Sequence, residues 1–135
     1  MNVDTFTAFS FTDMNSMTVA FPKSVRLLHA AEYKRVFDEP GARSVDPNFT
    51  VLARRNGLTQ ARLGMAITRK NIKTAVARNR IKRIVRESFR QHQQILAGLD
   101  IVVLSRGGAG ERENPALFAS LEHHWSRVIS RCNRS

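Results

Sequence analysis

The apolar positions of this chain change their spacing several times, and each change marks an element. Leu28, Ala31, Tyr33, Val36 and Phe37 recur at helix-compatible spacings, which predicts a short amphipathic helix over Leu28–Phe37. Glu39, Pro40 and Gly41 end it. Phe49–Arg55 (FTVLARR) and Arg62–Thr68 (RLGMAIT) are β-prone runs, and the Gly57-containing segment from Asn56 to Gln60 predicts a hairpin between them. Val45 is expected to start a further short strand ahead of Pro47. Val76–Leu96 reads as a long helix stopped by Gly98, and Asp100–Arg106 (DIVVLSR) as a buried strand. Gly107, Gly108 and Gly110 predict a flexible turn. Asn114 as N-cap and Pro115 at the first helical position open a last helix, with Leu117, Leu121, Trp125, Val128 and Cys132 on one face. The expected fold class is α+β: one domain of order α-β-β-β-α-β-α, with about four strands packed by helices.

A chain of 135 residues, 42% apolar, fits a single domain with a packed core. That domain is expected over residues 22–132, with 133–135 as a tail. Residues 1–21 carry four Phe and two Asp but no Lys or Arg, and follow no period; a poorly ordered extension is expected there. The segment lacks the positive start and clean apolar stretch of a signal peptide. Met17 opens MTVAFPKSVRLL and is a candidate natural start, so the first sixteen residues are expected to be dispensable. No apolar run approaches the roughly 20 residues of a membrane span. The single cysteine, Cys132, leaves no intramolecular disulfide. A cytoplasmic protein is expected.

Charge changes the picture most. Twenty-two Lys and Arg stand against eleven Asp and Glu, for a net +11 and an isoelectric point near 11.4. Such an excess opposes compaction by self-repulsion, and it points to a polyanionic partner. Between Arg62 and Arg90 there are ten basic residues and one acid, Glu87, so this segment carries +9 of the +11. On the helical wheel Ile81, Ile84, Val85, Ser88, Phe89, His92, Ile95 and Leu96 share an arc. The neighbouring arc holds Asn79, Lys82, Arg83, Arg86 and Arg90, flanked by Arg78 and Arg80. A solvated helix face would alternate signs at i,i+4, whereas this column is nearly all one sign. Arg outnumbers Lys, which favours bidentate phosphate recognition. The apolar arc is needed for the sheet, which disfavours membrane binding. Neither Arg80 nor Lys82 lies in the apolar arc, so both are expected to tolerate Ala without unfolding.

The stretch LGMAITRKNIKTAVARNRIKRIVRESFR, Leu63 to Arg90, resembles the signature of the bacterial ribonuclease P protein family, with its Arg-Asn-Arg element at Arg78-Asn79-Arg80. FPKSVRLLHAAEYKRVF resembles that family's N-terminal segment and DIVVLSR its final strand, so the likeness runs from about Phe21 to about Arg131. The first sixteen residues depart from the pattern, and Tyr33 stands where members often have Phe. The resemblance implies a protein subunit of a ribonucleoprotein endoribonuclease that removes the 5′ leader of precursor tRNA, with hydrolysis carried by the RNA and its metal ions. It implies ribonuclease P RNA and precursor tRNA as partners, one protein per RNA, and no cofactor bound by the protein alone, Mg²⁺ being held mainly by RNA. It also implies a left-handed βαβ crossover through the long helix, where pattern alone would favour the right-handed form.

Under that resemblance Arg78, Asn79, Arg80, Lys82, Arg83, Arg86 and Arg90 are the expected contacts to the catalytic RNA. Tyr33 and Phe37, four apart and on one helix face, match the family's leader-facing aromatics, although spacing alone fits core packing as well. Phe49, sharing a strand face with Val51 and Ala53, is a candidate for the cleft floor. Arg69 and Lys70 are candidates for leader phosphates or the RNA near its metals. Residues for catalysis by the protein itself are not evident. Metal-dependent phosphodiesterases cluster carboxylates, and these eleven acids are scattered. His123 and His124 diverge by about 100° on a helix and make a poor metal site. Together with His29 and His92 they are expected at the surface. The alternatives are a ribosomal protein or RNA chaperone, which composition fits equally, and a DNA-binding protein, which would lack a helix-turn-helix partner.

Overall fold

Period-2 alternation along the strands assigns each residue to one of two sheet faces, and each face has its own helical cover. The computed structural model describes Arg26 and residues 30–133, so the N-terminal extension, Met17 and His29 lie outside the described residues. The elements are α1 (Ala30–Asp38), β1 (Ala42–Val45), β2 (Phe49–Arg55), β3 (Arg62–Ala66), α2 (Ala75–Gln91), β4 (Leu99–Ser105), a 3₁₀ turn (Gly107–Glu111) and α3 (Asn114–Asn133). The predicted order is therefore found. Ala42–Val45 is the strand anticipated near Val45. The glycine turn is a 3₁₀ turn.

The strand order is β1-β2-β4-β3. The expected hairpin of β2 with β3 does not form. β4 lies between them, antiparallel to β2 and parallel to β3. The reason is β4 itself, which is buried at every position and therefore takes the sheet centre. The turn signal was real all the same. Gly57 has φ +72°, and the Asn56 carboxamide accepts from Leu58 N and donates to Gln60 O and Asp100 Oδ1. The turn reverses the chain and delivers β3 one strand spacing further out. β3–α2–β4 is thus the parallel crossover to which the handedness expectation applies.

Phe49, Val51, Leu63, Met65, Ile101 and Val103 project onto one face, under α2 and α3. Trp125 closes this core: its Nε1 donates to Ser88 Oγ at 2.9 Å and its ring meets Phe89 edge-on. Leu52, Ala66, Val102 and Leu104 form the opposite face, where α1 sets down Tyr33 and Val36. Gly64 makes this possible, since a Cβ there would fall 2.3 Å from the Tyr33 ring. Among the described residues α1 covers only part of this face.

Thr74 caps α2, its side chain accepting from Ala77 N. The helix stops at Gln91, five residues short of expectation. The chain then turns through 92–98, ending at Gly98 with φ +84°. Ile95 consequently leaves the apolar arc and is 57% exposed, while Leu96 remains buried. In α3 the predicted apolar face is buried as expected, with Ser120 and His124 added to it. His124 is fully buried rather than at the surface. Its Nδ1 sits 2.7 Å from Ser44 Oγ and its Nε2 3.1 Å from Asp46 Oδ2, outside hydrogen-bond alignment. Asp46 also accepts from Ser120 and from the amides of Asn48 and Phe49, locking β1 and β2 to α3.

Candidate nucleic-acid interface

At about 100° per residue, Asn79, Arg83, Arg86 and Arg90 (i, i+4, i+7, i+11) form one stripe along α2. Asn79, Arg83 and Arg90 are exposed and Arg86 is half-buried. The stripe holds three cations within three turns. Burial lowers the Arg86 pKa, and the neighbouring Arg83 and Arg90 charges add to the effect. An anion arriving here would relieve that crowding. Glu87 pairs with Arg90 at 3.1 Å at the surface, which offsets little of the field.

The remaining cations of the helix are placed differently. Arg78 folds back to donate to Ile72 O and Lys73 O, closing the loop into α2. Arg80 donates to Asn114 Oδ1 and Arg112 O, tying α2 to the start of α3. Residues i and i+2 on a helix point to nearly opposite sides, so these two arginines brace α2 while Asn79 between them faces outward. Lys82 adjoins Phe89 on the wheel and is only 7% exposed. Arg80 and Lys82, expected as RNA contacts that could be replaced by Ala without unfolding, are thus tied into the fold more closely than the helical wheel implied. Arg80 is a strut and Lys82 is buried.

The aromatic candidates divide as well. Tyr33 is 2% exposed beneath α1, and Phe49 is fully buried on the α3 side, its ring edge-on to His124. Phe49 lies on the face opposite the open part of the sheet, so it cannot floor a cleft there; packing against α3 claims it. Phe37 is half-buried and packs on the cluster that includes Ala66 and Leu104.

Those two residues line an open cleft of about 290 Å³ on the part of this face that α1 does not reach. It crosses the sheet from Thr68 and Asn71 after β3, past Ser105 and Arg106 at the end of β4 and Thr50 of β2, to Arg43 and Val45 of β1. Asn71 Nδ2 donates to Ser105 O at 2.6 Å, and Thr68 N to Ser105 Oγ. These bonds hold the segment that presents exposed Arg69 and Lys70 beside the cleft's β3 end. Arg106 donates to Asp46 O from the opposite rim. Sequence reasoning missed Arg43, Arg106, Asn71, Thr50 and Thr68. Period 2 places Arg43 and Val45 on one face, but only the strand order brings them beside Arg106.

Among the described residues, a sheet face with a cationic, hydroxyl- and amide-lined cleft, beside a helix bearing an arginine stripe, defines a nucleic-acid-binding protein of RNA type. The family model for ribonuclease P matches residues 21–129. The chain is 48% identical over 109 residues to the ribonuclease P protein component of Pseudomonas entomophila, covering 81% of this chain and 82% of that one. It is likewise 48% identical over 109 residues to that of Pseudomonas aeruginosa, covering 81% of each. Among solved structures, the RNase P protein of Staphylococcus aureus superposes with a TM-score of 0.71 at 29% identity, covering 79% of this chain and 99% of that one. The RNase P protein from Thermotoga maritima gives a TM-score of 0.67 at 32% identity, covering 76% and 96%. The chain belongs to the ribonuclease P protein family, the protein components of a ribonucleoprotein endoribonuclease. Among the described residues no helix is long and apolar enough to cross a membrane.

Proposed function

We propose that the chain docks on ribonuclease P RNA through Asn79, Arg83, Arg86 and Arg90, and holds the single-stranded 5′ leader of precursor tRNA in the cleft. Docking on folded RNA needs cations at fixed spacing, which a braced helix provides. Leader binding needs a groove with cations at its rim and apolar or aromatic surface within it. Arg43, Arg106, Arg69 and Lys70 supply the rim, with Ala66 and Leu104 in the floor and Phe37 packed beside them.

The observation that carries this reading is the shared segment 68–74. It forms one end of the cleft through Thr68 and Asn71, and its Thr74 caps the docking helix. A leader in the cleft therefore meets the catalytic RNA where the bond to be cut would lie. The protein's part is to bind and align. In this reading hydrolysis falls to the RNA and the Mg²⁺ it holds, with one protein per RNA in the cytoplasm; what supports it is the family membership. The test is reconstitution with ribonuclease P RNA at low Mg²⁺. The protein should accelerate precursor cleavage, and Arg106→Ala should weaken precursor binding while leaving mature-tRNA binding unchanged. Equal losses for the two RNAs would refute the leader site.

A further inference from the structure

The cleft has two ends of different character. One adjoins the segment that leads into α2, and the other opens over β1, the edge strand of the sheet. A leader whose cleavage point lies near the RNA on α2 must therefore run outward toward β1. On that reading its 5′-distal nucleotides would leave the cleft at Arg43.

A second group of cations begins there. Arg131 donates to the Arg43 carbonyl, and Arg127 Nη1 reaches Ser44 Oγ at 3.3 Å. Arg127 and Arg131 are i,i+4 on the outer side of α3, both exposed, with Ser126 and Ser130 alongside; these four line a shallow hollow. From His123 onward the chain contains no acid. The hydrogen bonds also protect the exposed sheet edge, but that task alone does not call for exposed serines and a run of like charge.

We propose that Arg43, Arg127 and Arg131, with Ser126 and Ser130, form a second phosphate track that receives the distal nucleotides of long leaders as they pass over the β1 edge. This rests on the cleft being the leader site. The track would let the protein favour precursors by leader length: short leaders end within the cleft, and longer ones gain contacts on α3. The cleft spans three inter-strand spacings, about 14 Å, so only a few nucleotides are needed before the edge is reached.

The test uses the holoenzyme reconstituted with ribonuclease P RNA and precursor tRNAs bearing leaders of graded length. Affinity should rise as the leader extends past the cleft. Arg127→Ala with Arg131→Ala should abolish that gain, a loss of about tenfold for the longest leaders and none for the shortest, with the salt slope flattened by about 0.7 per lost phosphate contact. Ser126→Glu with Ser130→Glu changes no residue that bonds β1 and should produce the same length-dependent loss. That pair decides the matter if the arginine variant does not fold. Unchanged binding of long leaders, or equal losses for short and long ones, would overturn the track. The underlying reading fails differently, with Arg106→Ala and Phe37→Ala leaving short-leader affinity intact.

Discussion

Arg62 and the arginines of the α2 stripe belong to the same basic segment, yet they sit in opposite surroundings. Arg62 is enclosed by carboxylates. It donates from Nε and Nη2 to the two oxygens of Asp100, its Cα partner across β3 and β4, and from Nη1 to Glu32 of α1 at 2.5 Å. Asp100 and, next, the Coulombic pull of both acids outweigh burial and raise the Arg62 pKa further. Arg83 and Arg90 lie on an exposed helix face whose only acid is Glu87. The contrast teaches that a count of cations says little about function. What matters is whether the fold delivers acids to them. Arg62 fastens α1 to the sheet, and Arg83 and Arg90 of the stripe stay exposed to solvent.

The largest expected effect breaks the enclosed side of this contrast. Arg62→Ala leaves Asp100 buried without its main cation and should cost about 3 to 5 kcal/mol. Urea unfolding would measure it. A loss well under 1 kcal/mol would show the network to be solvent-screened. The complementary variant, Arg83→Ala with Arg90→Ala, should leave stability within about 0.5 kcal/mol. It should nevertheless weaken binding to ribonuclease P RNA and flatten the salt dependence by about one to two units. An unchanged slope in a folded variant would remove the stripe from the docking surface.

Phe37 sharpens the comparison on the cleft side, because it is half-buried. Phe37→Ala should weaken precursor binding by about 1 to 3 kcal/mol if a stacked base is lost, with little effect on mature tRNA. Equal losses for both would make it a packing residue.

The smallest effect concerns pH. Burial lowers the His124 pKa, outweighing the pull of Asp46 in the other direction. The unfolded chain then takes up the proton first, so stability is full above about pH 6.5 and declines as pH falls through and below it. Burial alone would raise the Asp46 pKa, but its bonds from Ser120 and the Phe49 and Asn48 amides hold it below the usual value. Its contribution is present above about pH 4 and is lost on further acidification. His124→Gln should therefore flatten the stability profile between about pH 5 and 7 and leave the steeper acid loss in place. A parent protein with no slope in that range would contradict the buried neutral imidazole.

Local features of this chain were legible without coordinates. The element order, the apolar face of α3 and the cationic character of α2 follow from period, turn chemistry and residue type within a few consecutive positions. The RNA-binding class followed from charge and the Arg-Asn-Arg signature. Other features depend on residues far apart in the chain. β4 displaced the expected hairpin because burial on both faces sends it to the sheet centre. Arg80 became a strut because Asn114 arrives beside it, and His124 left the surface because Ser44 and Asp46 meet it in the core. Phe49 went to the α3 side, and Arg43 and Arg106 came to share a cleft, through strand order alone. Local sequence determined which side chains could bind RNA. Only packing decided which of them remain exposed to do so, because burial depends on residues far apart in the chain.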